Sequence, residues 1–288
     1  MTIAPEAPTA LRFLSLEITA RCQLACTHCY AEAGPTRGHG SMTGDDWHRI
    51  IDEAADLGTT AVQIIGGEPT LHPAFSGLVE HALRVGMRVR VYSNLIQVRD
   101  EHWRLFEHPH VSVAASYYSD NPGEHHTITG GRRDSHAATR ANIVEALNRG
   151  VRIKVGIIDM GGGQRAQQAR AEMQALGVHD VHVDQVRAVG NASGTVMPST
   201  SALCGRCGVG KAAILPDGSV APCEIGRFLP AGSVRDATLA SVLASDRWAQ
   251  VTASVPHRAG ADSCAPDCQP AASDSCNPAK GNPCNPMG

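Results

Sequence analysis

Short apolar runs rich in β-branched residues recur along the first two thirds of the chain, separated by stretches with helical periodicity. LSLEI, AVQII, VRVY and VRIKVGII have strand length. They predict strands over 13–19, 60–65, 87–92, 111–116, 151–158 and 179–185 in a mostly parallel sheet. Between them, Thr43 and Asp46 form a capping pattern ahead of an apolar face of Trp47, Ile50, Ile51, Ala54 and Leu57. Pro73 suits the first turn of a helix carrying Leu78, Val79, Ala82 and Leu83. Residues 138–148 and 164–176 supply further crossovers, each followed by a glycine, Gly150 or Gly177. Six such units predict an α/β fold, a partial (β/α)6 TIM-like barrel short of the full eight.

The pattern changes after Val189. Residues 191–201 have the composition of a loop, AAILPDGSV predicts two short strands turned at Asp217 and Gly218, and 236–250 predicts a short amphipathic helix. The stretch 261–288 is dense in Cys, Pro, Asn, Ser and Gly, a composition that needs metal to fold. The expected division is a barrel domain over 1–190 and a small cysteine-rich domain over 191–288.

A chain of 288 residues with 42% hydrophobic content can bury a substantial core. Its 25 Lys and Arg against 28 Asp and Glu leave no basic footprint for nucleic acid. The first residues lack the charged, apolar and cleavable regions of a secretory signal, and no apolar run is long enough to span a membrane. A cytoplasmic protein without nucleic-acid or membrane partners is expected. The ten cysteines fall into two groups, Cys22, Cys26 and Cys29, then Cys204, Cys207, Cys223, Cys264, Cys268, Cys276 and Cys284. Such clustering favours metal ligation over a disulfide scaffold.

Cys22, Cys26 and Cys29 follow the first strand directly, so their thiols emerge at the strand's C-terminal end, where barrel active sites form. Three thiolates suit iron and leave one corner of a 4Fe-4S cube without a protein ligand; a zinc knuckle using Cys26, His28 or Cys29 is the alternative. After the second strand comes Gly66-Gly67-Glu68-Pro69-Thr70, whose glycines allow backbone to approach a ligand and whose peptide groups could hold a charged amino acid moiety; taken alone, two glycines are also an ordinary turn.

The CxxxCxxC spacing and the Gly-Gly-Glu-Pro loop together resemble the radical S-adenosylmethionine (SAM) superfamily. That resemblance implies that Cys22, Cys26 and Cys29 hold the catalytic 4Fe-4S cluster, whose open iron is chelated by SAM, and that reductive cleavage of SAM gives a 5′-deoxyadenosyl radical. It implies further that Gly66, Gly67, Glu68 and Pro69 contact the methionyl amine, that Ser93 and Asn94 meet the ribose, and that Ser116 lies near SAM. Arg187 has the geometry to meet the SAM carboxylate, although a surface ion pair fits it as well. His28 is expected to pack beside the cluster, and His125 and His126 to lie in a loop.

The run from Cys204 through Cys207 to Cys223 resembles the opening of a SPASM domain, the auxiliary-cluster extension of many peptide-modifying radical SAM enzymes. Cys264, Cys268, Cys276 and Cys284 would complete one or two auxiliary iron–sulfur clusters, with a structural zinc module as the alternative. Their spacing departs from the family's tight run, and Cys204 with Cys207 is an added close pair. The segment 116–130 is similar to the middle of enzymes that modify ribosomally made peptides. A radical SAM oxidation or cross-link on a precursor peptide is therefore expected, with a flavodoxin- or ferredoxin-like reductant. The motif core begins close to residue 10, and from that either a separate peptide-recognition protein or a small substrate is expected. The alternatives are a SAM-dependent dehydrogenase or epimerase of a carbohydrate, aminocyclitol or peptide, and, from another class, a noncatalytic iron–sulfur electron-transfer protein. Tyr117 and Tyr118 could serve either kind of substrate.

Overall fold

A computed structural model describes residues 10–131 and 133–256. Cys264, Cys268, Cys276 and Cys284, and the expected metal-organised tail, lie outside the described residues.

The six predicted strands all form, with ends shifted by one or two residues: β1 Phe13–Glu17, β2 Ala61–Ile65, β3 Arg88–Ser93, β4 Val111–Ser116, β5 Ile153–Asp159 and β6 Asp180–Gln185. Neighbours pair in parallel in sequence order. Crossover helices link them. α1 (Gly44–Asp56) begins with the expected capping box: Thr43 Oγ1 accepts from the Asp46 N–H at 3.2 Å, and the Asp46 carboxylate accepts the Thr43 N–H at 2.9 Å. Such a cap is worth about 1 kcal/mol. The stripe Trp47, Ile50, Ile51 and Ala54 is buried against the sheet. α2 (Phe75–Arg84), α5 (Ser135–Asn148) and α6 (Ala166–Ala175) occupy the expected places, Pro73 lying just ahead of α2.

Two helices were not expected, α3 (Asp100–Phe106) and α4 (Pro122–Thr129). α4 starts where the Asn121 side chain accepts the N–H groups of Gly123 and Glu124 at 2.9 and 3.0 Å. It carries His125 and His126, so these histidines are helical and the loop expectation is corrected.

Although the strands are parallel, they alternate. Leu14, Leu16, Val62, Ile64, Val89, Val91, Val113, Ala115, Val155 and Ile157 join the helices in one core. Intervening positions such as Ser15, Glu17, Gln63 and Tyr92 put polar groups on the other face, the lumen, where the Gln63 amide donates to Ser15 Oγ at 3.3 Å.

The sheet continues past β1. β7 (Lys211–Ile214) pairs in parallel with it, Phe13 opposite Lys211 through Leu16 opposite Ile214. β8 (Ser219–Ala221) and β9 (Gly232–Ser233) then add on antiparallel, giving nine strands in the order β6-β5-β4-β3-β2-β1-β7-β8-β9. The predicted hairpin is thus an edge of the barrel sheet. The single helix expected over 236–250 is two, α7 (Leu239–Leu243) and α8 (Asp246–Ala253), because Ser245 caps the second through a bond from the Trp248 N–H at 3.1 Å. Among the described residues, no helix is long and apolar enough to cross a membrane.

Candidate active site at the mouth of the barrel

Cys22, Cys26 and Cys29 lie on an irregular loop that leaves the C-terminal end of β1, and three neighbours hold that loop. Its own return pins it, with Cys22 N–H donating to Gly34 and Gly34 N–H to Ala20, both at 3.1 Å. The last carbonyls of α4, which a helix leaves unpaired, accept from it: Ala25 N–H to Thr129 at 2.9 Å and Thr27 N–H to Ile128 at 3.0 Å. Asn191 clamps the far end, donating its backbone N–H to Cys29 O and its side-chain amide to Cys26 O, each at 2.9 Å. Gly190 must be glycine there, since at φ +61° a Cβ would lie 2.4 Å from the carbonyl oxygens of Cys29 and Tyr30.

Burial pushes the Cys22 thiol up to about 12, with the Glu68 carboxylate adding to it. Cys26 and Cys29 are raised as well, by burial first, and for Cys26 by the other two sulfurs. Three such groups become thiolates only beside a cation, which is the condition a metal cluster meets. Among the described residues, no three His, Cys, Asp or Glu side chains gather around a point suited to a single ion. His28 packs edge-on to Tyr118 with ring centroids 4.6 Å apart, and burial lowers its pKa to about 4.

The Gly66-Gly67-Glu68 loop is built differently from expectation. A Cβ on Gly66 would come within 2.3 Å of Thr19 O, and one on Gly67 within 2.4 Å of Arg21 O. The glycines therefore allow the second loop to press on the first, and both also line the cavity at this end of the barrel. The Gly67 and Glu68 N–H groups are spent on Thr19 O (2.7 Å) and Arg21 O (2.9 Å) and are not free to donate to a ligand.

Glu68 is 1% exposed and faces inward. Oε1 accepts from Thr70 N–H (3.2 Å), Thr70 Oγ1 (2.7 Å) and Ser93 Oγ (2.9 Å), and Oε2 from Asn94 N–H (2.8 Å). Burial raises its pKa against these bonds. This carboxylate ties the end of β3 to the end of β2 and thereby places Ser93 and Asn94.

A cavity of about 190 Å³ opens at this end of the barrel, lined by Cys22, Cys26, Cys29, Gly66, Gly67, Ser93, Asn94, Ser116 and Arg187. Glu68 and Pro69 are buried and not part of its lining. Asn94 reaches Cys22 Sγ through its side-chain amide at 3.7 Å. Arg187 donates to Asp184 Oδ2 at 3.1 Å and Ala202 O at 2.8 Å, so its charge already has a buried partner. The adjacent tyrosines part company: Tyr118 lines the cavity, while the Tyr117 hydroxyl lies 2.6 Å from His136 Nε2 and 2.7 Å from the Glu172 carboxylate, outside it.

The far wall is formed by Tyr92, Glu224 and Ile225, the last two from the segment after β8. Gln63 donates to Glu224 Oε1 at 2.9 Å. Cys207 and Cys223 meet with their sulfurs 3.2 Å apart in an apolar nest of Leu203 and Val255. Cys204 is drawn below the ordinary thiol range, first by a bond from Cys207 and then by Lys211 against the effect of burial. Lys211 is 5% exposed; burial pulls its pKa down, but Cys204, Cys223, Cys207 and Glu224 outweigh that and hold it above its ordinary value. Soft donors gathered beside a buried cation fit an anionic iron–sulfur cluster.

Sequence reasoning missed Asn191, Glu17 and Arg227. Glu17, 1% exposed, accepts from Arg227 Nη1 at 2.7 Å and is raised to about 7 by burial, which overcomes the pull of Arg227. An acidic residue inside the apolar run FLSLEI was the available signal for Glu17. Asn191 and Arg227 carry none.

Residues 16–175 match the model of the radical SAM superfamily, and residues 204–269 that of SPASM, an iron–sulfur cluster-binding domain. Among curated proteins, PqqA peptide cyclase of Rhodopseudomonas palustris is 40% identical over 81 residues, 28% of this chain and 20% of that one. The antilisterial bacteriocin subtilosin biosynthesis protein AlbA of Bacillus subtilis is 28% identical over 145 residues, 50% of this chain and 32% of that one. The matches thus span a fifth to a third of these relatives' length. Among solved structures, Streptococcus suis SuiB bound to S-adenosylmethionine superposes with a TM-score of 0.72 at 14% identity, covering 89% of this chain and 71% of that one. The anSMEcpe structure with bound AdoMet gives 0.62 at 14% identity, covering 88% and 83%. At such identities the two share the fold. With the family model matching more than half of its residues, this chain belongs to the radical SAM superfamily.

Proposed function

We propose that this chain uses a SAM-ligated 4Fe-4S cluster on Cys22, Cys26 and Cys29 to remove a hydrogen atom from a ribosomally made precursor peptide, which it oxidises or cross-links. The observation that carries the reading is one cavity bounded jointly by the three cysteines, the Gly66-Gly67 loop, Ser93, Asn94 and the auxiliary segment at Glu224 and Ile225. The residues fit a cluster and SAM. One buried and two half-buried thiols, all raised by burial, suit a cation, Gly67 lines the cavity, and the Ser93-Asn94 strand end is held rigidly by Glu68. When bound, cluster and SAM supply a carbon radical able to take a substrate hydrogen. The chain's own residues position that chemistry and shield it from water.

Support for a peptide substrate comes from what the relatives are named for: a PqqA peptide cyclase, a subtilosin biosynthesis protein, and SuiB, which has also been solved bound to its precursor peptide SuiA (TM-score 0.70). In this reading residues 1–190 carry the radical chemistry and 191–288 hold one or two auxiliary clusters that accept an electron from the substrate. A flavodoxin- or ferredoxin-like protein reduces the first cluster, a separate protein presents the peptide, and the reaction runs in the cytoplasm.

Anaerobic reconstitution followed by SAM and a low-potential reductant is the test. The reading expects 5′-deoxyadenosine; its absence with intact clusters refutes it. A candidate precursor peptide losing the mass of two hydrogens supports oxidation, whereas an unchanged mass with altered stereochemistry replaces oxidation by epimerisation.

A further inference from the structure

The short segment after β8 faces three ways. Cys223 turns its sulfur to Cys207, Glu224 and Ile225 line the cavity, and Arg227 reaches β1. There Arg227 Nη1 lies 2.7 Å from Glu17 Oε2, and the guanidinium stands 6.0 Å over the ring centroid of Tyr30. Tyr30 directly follows Cys29, and Glu17 lies one short stretch ahead of Cys22. The Arg227 side chain is 19% exposed, and its Glu17 partner 1%. Within this seam Glu17 Oε1 and the Tyr30 hydroxyl find no protein partner. Arg227 and Glu17 both act electrostatically on Cys29, with opposite sign. One five-residue segment therefore touches the auxiliary thiols, the substrate cavity and the foot of the N-terminal cysteine loop.

We infer that Arg227 is a positioning residue for the radical site. It ties the auxiliary segment to the Cys29–Tyr30 end of the N-terminal loop and holds a positive charge beside a ligand of the first cluster, so that the seating of the auxiliary segment is felt there. The inference rests on the proposed function only in assigning a cluster to Cys22, Cys26 and Cys29. Its physical basis is Coulombic. A cation beside a thiolate ligand favours the more negative, reduced cluster and raises its midpoint potential, while the nearby Glu17 carboxylate lowers it. In the low-dielectric seam neither charge is screened as it would be at the surface.

Removing Arg227 alone would also let the buried Glu17 take up a proton, so the charge is read in a Glu17→Gln background, where the ion pair is already broken. There a purely mechanical role moves the cluster alike in Arg227→Met and Arg227→Lys. An electrostatic role lowers the midpoint only where the charge is lost. The experiment is an EPR-monitored redox titration of the reconstituted full chain under mildly alkaline conditions, with the first cluster identified by its spectral response to SAM and with iron content and thermal unfolding measured alongside. We expect a higher midpoint for Glu17→Gln than for wild type, a lower one for the double variant Glu17→Gln/Arg227→Met than for Glu17→Gln, and a value near Glu17→Gln for Glu17→Gln/Arg227→Lys at equal iron content. If the Arg227→Met double variant does not fold, Glu17→Gln decides alone: a raised midpoint supports the inference, and an unchanged or lowered one overturns it. Equal shifts in the two double variants also overturn it. A wild-type chain with no SAM-responsive cluster contradicts the proposed function instead, which keeps the two failures distinct.

Discussion

Adding one methyl group at Gly67 tests how the two cofactor loops are held together. A Cβ there would lie 2.4 Å from Arg21 O, 2.8 Å from Arg21 C and 2.9 Å from the Ala33 methyl, where ordinary contact begins at 3.4 Å. All the crowding atoms belong to backbone or to a β-carbon, so no side chain can swing away. The loops must separate by about 1 Å. The same surfaces are joined by Gly67 N–H to Thr19 O at 2.7 Å and Glu68 N–H to Arg21 O at 2.9 Å. Opening by that amount takes both bonds past hydrogen-bonding distance. Two lost bonds at about 1 kcal/mol each, with residual overpacking, put Gly67→Ala about 3 kcal/mol below wild type. The displacement also shifts Cys22 relative to Asn94 and should slow SAM cleavage about 100-fold. Gly34→Ala is the control: it lies on the same cysteine loop, has nothing within 4 Å of its Cβ, and should change stability by less than about 1 kcal/mol. Urea denaturation and the rate of 5′-deoxyadenosine formation read both effects. A Gly67→Ala protein within about 0.5 kcal/mol of wild type and equally active would refute the packing argument, as would a Gly34→Ala protein damaged to the same degree.

Glu68→Ala leaves the donors on Thr70, Ser93 and Asn94 without their buried acceptor, and should cost at least about 3 kcal/mol in urea denaturation together with a loss of SAM affinity. Tyr117→Phe removes the hydroxyl bonded to His136 and Glu172, and should lower stability by about 1–2 kcal/mol while leaving the substrate KM unchanged; Tyr118→Phe, which alters the cavity wall and loses the bond to Ser116, should change KM as well. Burial, helped by His136 and His126, holds His125 at about 4 in the folded state, against an unfolded value of 6.5. Above 6.5 both states are neutral; as pH falls, the unfolded state takes the proton first, so stability declines between 6.5 and about 4 by up to about 3 kcal/mol. His125→Gln should flatten that slope in denaturation midpoints measured across the range. A fragment ending at residue 190 loses β7 and uncovers the β1 edge from Phe13 to Leu16, and should show no cooperative unfolding transition by circular dichroism.

The parts of the site that could be read from sequence are those whose chemistry is local. Cys22, Cys26 and Cys29 declare themselves because thiols at that spacing have few other uses, and Thr43 with Asp46 because a capping box is complete within one turn. The short runs of β-branched residues located all six barrel strands, since length and flanking glycines settle strand against helix there. Glu68 was misread for the opposite reason. Its partners Ser93 and Asn94 arrive from another strand, so nothing in Gly-Gly-Glu-Pro says whether the carboxylate faces a ligand or the scaffold. Nor does the motif show that the atoms forbidding a side chain at Gly66 and Gly67 are Thr19 and Arg21 of the neighbouring loop. α4 escaped notice because its eight residues have no apolar stripe: PGEHHTIT is buried at His125, Ile128 and Thr129 and is set up by the Asn121 cap.

The polar lumen follows from where the two cysteine groups leave the sheet. The N-terminal loop departs from the Glu17 end of β1, whereas Cys207 precedes β7 at Lys211, which pairs with Phe13 at the opposite end of β1. Four residues of strand, about 13 Å, separate those ends. Cys223 returns on the antiparallel β8 to the Cys207 end, and the next four residues then climb the lumen past Gln63 to reach Glu17 with Arg227. Residues on the inner face of β1 and β2 therefore meet Glu224 and Arg227: an apolar side chain at Glu17 would remove the ion-pair partner of Arg227, one at Gln63 would take a hydrogen bond from Glu224, and Ser15 supports Gln63. That requirement explains why parallel strands, which ordinarily carry unbroken apolar runs, alternate here. It also makes the hairpin and the barrel a single structural unit, in which the thiols at one end of a strand pair and those at the other are linked by one ordered segment.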